Sequence, residues 1–95
     1  MDFVWDERKN ATNQKKHHLS FEDARNVFAD PLAVTRIDTS AEELRWQIMG
    51  HWGETLVILV VYTMREADGS DAIRIISARK ATNAERRRYE KGQWV

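Results

Sequence analysis

The strongest feature of the hydropathy pattern is an unbroken run of six aliphatic residues, Leu56 to Val61, inside the stretch Thr55 to Thr63. Val57, Ile58, Val60, Val61 and Thr63 are β-branched, Gly53 precedes the run and charged residues follow it, so the pattern predicts a strand rather than a helix. Leu56, Ile58, Val60 and Tyr62 share one face, and Val57, Leu59, Val61 and Thr63 the other. Apolar residues on both faces put this strand inside a sheet rather than on its edge.

The other elements follow from weaker patterns. Leu44, Trp46 and Ile48 alternate with Arg45, Gln47 and Met49, which predicts a half-buried strand with Trp46 in the core and the second face open to solvent. Gly50-His51-Trp52-Gly53 reads as the turn into the central strand. Arg65 to Asp71 contains Asp68-Gly69, a hairpin signal, and Ala72 to Arg79 is the returning strand. Leu32 to Ile37 is a short strand near an edge.

Three helices are marked by their caps. Asp6 opens an almost wholly polar helix that closes at His17-His18. Ser20 to Asp23 is a capping-box pattern with Phe21, Ala24, Val27 and Phe28 on one side, ended by Asp30-Pro31. Thr82 to Glu85 caps a last helix through about Lys91, before Gly92. The order helix, helix, four strands, helix describes an α+β domain: a mostly antiparallel four-stranded sheet with helices against it.

Ninety-five residues, 42% of them hydrophobic, make one domain, residues 1–95, with one modest core. There is no cysteine, so disulfides and thiolate metal sites are excluded. Adjacent histidines on a helix end point about 100° apart and no third ligand sits at helical spacing, so His17-His18 predicts no metal site. No apolar run spans a bilayer, which leaves a cytoplasmic protein as the expectation.

The formal net charge of zero argues against a strong nucleic-acid binder. The average hides a local bias. Arg74, Arg79, Lys80, Arg86, Arg87, Arg88 and Lys91 outweigh Glu85 and Glu90 in the C-terminal third, whereas acids dominate from Asp38 to Asp71. Such a basic patch suits a phosphate chain.

Several motifs, in order, resemble the BrnT family. They are Asp6-Glu7 with Lys16-His17, Leu19 to Ala24, Val27-Phe28, Asp30-Pro31-Leu32, Glu43 with Arg45, Tyr62 to Arg65, Ile73 to Thr82, and Glu85 to Tyr89. The family often has Gly where this chain has His18. The resemblance spans about residues 3 to 91 and implies a RelE-like fold and an endoribonuclease toxin of a type II toxin-antitoxin pair that arrests translation. It also implies a cognate antitoxin that neutralises the toxin and carries the DNA-binding domain, so DNA would be reached only through it. No cofactor is implied.

Metal-independent RNA cleavage needs a base for the 2′-hydroxyl, charge stabilisation at the phosphorane and a proton for the leaving oxygen. Guanidinium groups suit the second task. Arg45, Arg74, Arg79, Tyr89 and His51 are therefore the expected catalytic set, with Arg65, Lys80 and Arg86 binding RNA. Arg74 and Arg79 are five residues apart and share a face only if the strand ends or bulges between them. The bland readings are ion-paired sheet arginines and a Tyr89 that packs its helix on the sheet. Trp52 and Trp94 are expected in an exposed apolar patch that the antitoxin covers. The alternative is a RelE-like binding module that has lost catalysis and only partners an antitoxin-like protein.

Overall fold

The aliphatic run lies at the centre of a five-stranded sheet in the computed structural model, which describes residues 2–40, 42–67 and 70–94. The strands are β1 (Asp2–Val4), β2 (Val34–Asp38), β3 (Arg45–Trp52), β4 (Leu56–Ala67) and β5 (Ser70–Lys80), in the spatial order β1-β5-β4-β3-β2. Neighbours in β2 to β5 pair antiparallel, and β1 pairs parallel to β5 with Phe3 opposite Ile73. The expected four-strand sheet thus gains an edge strand. Three residues are too few to show a period, so the opening Phe3 to Trp5 gave no strand signal. The Asp68-Gly69 hairpin signal lies outside the described residues.

Helices pack on both faces. On the first, helices α1 (Glu7–His17) and α2 (Phe21–Ala24) are followed by a 3₁₀ turn over Arg25–Ala29. Phe21, Ala24 and Val27 are fully buried against Ile58, Val60, Ile73 and Ile75. Each of the larger side chains, such as Phe21 and Val27, contributes about 1.5–3 kcal/mol on leaving water. The second helix is therefore shorter than its apolar spacing suggests, and the tighter 3₁₀ turn completes it ahead of Pro31.

Helix α1 has almost nothing apolar to bury and is anchored by amides instead. Asn13 Nδ2 donates to the carbonyls of Leu19 and Ala78, and its Oδ1 accepts from Ala78 N. Asn10 Oδ1 accepts from Phe21 N. Both asparagines are buried and satisfied, as a polar helix against a sheet requires.

The second face differs from the expectation of an open surface on β3. Met49 is fully buried there with Val57, Leu59, Tyr89 and Trp94. The cover is the last helix, α3 (Asn83–Glu90), whose Thr82 capping box forms as expected. Gly92, at φ 67°, closes α3 in a Schellman turn in which Gln93 N donates to Arg88 O and Gly92 N to Tyr89 O. That turn brings Trp94 back onto the sheet, where the Arg36 guanidinium stacks 3.6 Å from its ring. Trp94 is therefore core, not the exposed contact expected. Trp52 packs partly buried at the end of β3. Among the described residues no helix is long and apolar enough to cross a membrane.

Candidate functional site

A β-bulge decides which arginines share a face. Val61 pairs with Ser77 but Tyr62 pairs with Ile75, so Ile76 is an extra residue in β5. The alternation inverts there: Ile73 and Ile75 before it and Ala78 after it all bury on the helix-α2 side. Arg74 and Arg79 consequently both fall on the α3 side, opposite Thr63 and Leu59. Asn13 holds both backbone groups of Ala78, immediately beyond the bulge.

Only half of that face is covered. At the uncovered end, Lys9, Glu43, Arg45, Arg65 and Arg74 line a cavity of about 440 Å³ floored by Thr63. Arg45 is half-buried at the start of β3, and its Nε is buried with no hydrogen-bond partner among the described residues. A buried donor without an acceptor costs about 1–3 kcal/mol, and an anion in the cavity would remove that cost. Four cations and one carboxylate in one wall favour a polyanion.

Arg79 is engaged elsewhere. Its Nη1 and Nη2 donate to Glu85 Oε1 and Oε2 at 2.7 and 2.9 Å, and Glu85 Oε1 also accepts from Thr82 N. Hydrogen bonds from Arg79 bring the Glu85 pKa down to about 2 against the opposing effect of burial. The pair clamps β5 to the start of α3, in the geometry that makes arginine-carboxylate contacts strong.

His51 and Tyr89 form a second group. His51 lies in β3 rather than in a turn, because the strand continues through Gly50 to Trp52. Gly50 allows this: a Cβ there would stand 3.0 Å from Asp30 Oδ2 and from Val27 Cγ1. Asp30 Oδ2 accepts from Tyr89 Oη at 2.6 Å and from His51 N at 2.8 Å, while Oδ1 accepts from Leu32 N. Burial alone would raise the Asp30 pKa, yet these hydrogen bonds leave it below the usual carboxylate value. Burial and donation to Asp30 push the Tyr89 phenol up to about 12. The Tyr89 and His51 rings meet edge to face at 5.1 Å, and His51 Nδ1 is buried without a partner among the described residues. Both residues line a cavity of about 490 Å³ with Leu32 and Lys91.

The expected catalytic residues are thus not all brought together. Arg45 and Arg74, joined by Arg65, share the open cavity; His51 is six residues along β3 from Arg45, about 20 Å at strand spacing. Arg79 lies between the two groups. Lys80 is exposed, and Arg86 donates to Thr55 O and pairs with Glu90. Lys9, in a polar helix, and Asp30, which reads as a helix terminator, carried no sequence signal of a site. Among the described residues no cluster of three His, Asp or Glu residues is placed to hold a metal.

A small α+β domain with an arginine-walled cavity on the open half of its sheet has the makings of an RNA-cleaving protein, and known proteins agree. Residues 5–85 match the family model described as ribonuclease toxin, BrnT, of type II toxin-antitoxin system. The 1.1 Å crystal structure of the Brucella abortus ribonuclease toxin, BrnT, matches with a TM-score of 0.63 and 28% identity, over 87% of this chain and 99% of that one. No curated protein sequence matches significantly. The chain belongs to the BrnT family of ribonuclease toxins, and membership of a type II system implies an antitoxin partner.

Proposed function

We propose that the chain is a cytoplasmic endoribonuclease of RelE-like fold that cuts RNA without a metal ion in the Arg45–Arg74 cavity. An antitoxin bearing the DNA-binding domain silences it. The observation that carries this reading is Arg45 Nε, buried and unpartnered in a wall shared with Lys9, Arg65 and Arg74. The four cations would hold a phosphate oxygen and repel a divalent ion, so arginine takes the part a metal plays in other nucleases.

Glu43 is the one carboxylate among the lining residues and takes the 2′-hydroxyl proton. O2′ then bonds to phosphorus, Arg45 and Arg74 meet the phosphorane charge, and the bond to O5′ breaks as Lys9 supplies its proton. Lys80 and Arg86 add to the field that holds the rest of the strand. A second reading, favoured by the unpartnered His51 Nδ1, places the proton transfers at the His51–Tyr89 cavity instead.

Expression without the antitoxin tests the function. Growth stops, messenger RNA is cut internally, and the purified chain cuts RNA equally fast with and without chelator. Normal growth with intact RNA in cells full of soluble protein would replace this reading with the catalytically silent binding module.

A further inference from the structure

Arg65 and Arg74 also line a second, smaller cavity of about 250 Å³, whose remaining wall is Val4, Trp5 and Asp6. The proposed phosphate cavity and this one are therefore neighbours, with the two arginines as their common wall. Its volume is below the ~300–1,000 Å³ typical of sites for drug-sized ligands and suits one planar base.

Trp5 is fixed in place. Its Nε1 donates to Glu7 Oε1 at 2.6 Å, and its ring meets Phe21 edge to face at 6.2 Å. A rigid indole beside a phosphate site is a stacking platform, the device by which proteins hold unpaired bases. Asp6 adds an acceptor. Its Oδ1 caps helix α1 by accepting from Arg8 N and Lys9 N, while Oδ2 has no partner among the described residues. Those backbone hydrogen bonds hold the carboxyl below its usual pKa.

We propose that this cavity is the subsite for the nucleobase next to the cleaved phosphate, which stacks on Trp5 and donates a hydrogen bond to Asp6 Oδ2. The chemistry of that acceptor sets the preference. Adenine, cytosine and guanine each offer an exocyclic amino donor. Uracil offers only N3–H, flanked by two carbonyl oxygens that a carboxylate repels. Bases with an amino group are therefore favoured over uracil at this position.

The inference rests on the cleavage reading above, and two measurements keep the two separable. The first maps cut positions by sequencing the fragment ends of a long RNA treated with the purified chain. The second measures binding of short 2′-O-methyl oligonucleotides, which lack the attacking hydroxyl and report recognition whether or not the chain cleaves. Asp6→Asn keeps a good helix cap and removes the charge. It should cut the preference for amino-bearing bases over uracil by about 5-fold in both measurements, the equivalent of one hydrogen bond.

Trp5→Ala should weaken oligonucleotide binding by about 5-fold or more whatever the base, and Trp5→Phe should restore much of it. Melting temperatures, read alongside, separate lost stacking from lost folding. Arg74→Ala should lower cutting at every sequence alike. A parent chain that binds uracil-only and amino-bearing oligonucleotides equally, or an Asp6→Asn variant with the parental preference, would overturn the subsite. If Arg74→Ala is inactive in that case, the cleavage reading stands without it.

Discussion

The Tyr89 hydroxyl donates a 2.6 Å hydrogen bond to Asp30 Oδ2, tying helix α3 to the loop that precedes β2. The same oxygen accepts from His51 N, so one carboxylate joins three elements. With its pKa at about 12, the phenol keeps its proton near neutrality, and with the chemistry proposed at Arg45 and Arg74 its expected part is to hold α3 in place. Tyr89→Phe should cost about 1.5–3 kcal/mol in denaturant unfolding, as loss of a hydrogen bond to a charged group does. RNA cleavage by that variant should stay at the parental rate well below its melting temperature. A stable Tyr89→Phe variant that no longer cleaves would give the phenol a chemical role.

The Arg79–Glu85 clamp makes stability depend on acid pH. Glu85 has a folded pKa of about 2 against an ordinary 4.5, so its contribution is fully present above about pH 4.5 and is lost as pH falls toward 2. Arg79 is 38% exposed, and solvent screening leaves about 1 kcal/mol of the full linkage value. The stability gap between the parent and Glu85→Gln should be constant near neutrality and close between pH 4.5 and 2. A gap that persists at pH 2 would assign the effect to the capping box rather than to charge.

Much of the fold was legible because it is written in short-range patterns. The six-residue aliphatic run marked β4 as interior, and Thr82 with Glu85 marked the start of α3. What escaped depends on distant partners. Met49 looked solvent-facing because its neighbours Arg45 and Gln47 are polar. It is buried by Trp94, which a turn at Gly92 returns to the sheet, and no local period records that. The parity of Arg74 and Arg79 required a bulge, and the bulge sits beside Asn13, 65 residues upstream of its partner Ala78. Side-chain commitments were equally hidden: Arg79 and Arg74 are the same residue type on the same strand, but only Arg79 has Glu85 within reach.

The end of α1 carries a different kind of expectation. His18 is the C-cap and sits at φ 56°, in the left-handed region, with its N–H donating to Gln14 O. A side chain there costs roughly 1 kcal/mol that glycine avoids. His18→Gly should raise the melting temperature by about 4–8 °C and leave RNA cleavage unchanged. A drop in melting temperature would mean that the imidazole makes a contribution the cap geometry does not reveal.

If RNA is cut at the cavity that Arg45 and Arg74 share, single-turnover cleavage by Arg74→Ala shows it most directly, with His51→Ala as the comparison. Arg74 is half-buried and none of its side-chain nitrogens is paired among the described residues, so the melting temperature should hardly move. The cleavage rate should fall by about 10²-fold or more, as when one preorganised donor to a developing oxyanion is removed, while His51→Ala cleaves like the parent. An Arg74→Ala variant that cleaves at the parental rate beside an inactive but folded His51→Ala variant would contradict the claim and move the chemistry to the His51–Tyr89 cavity.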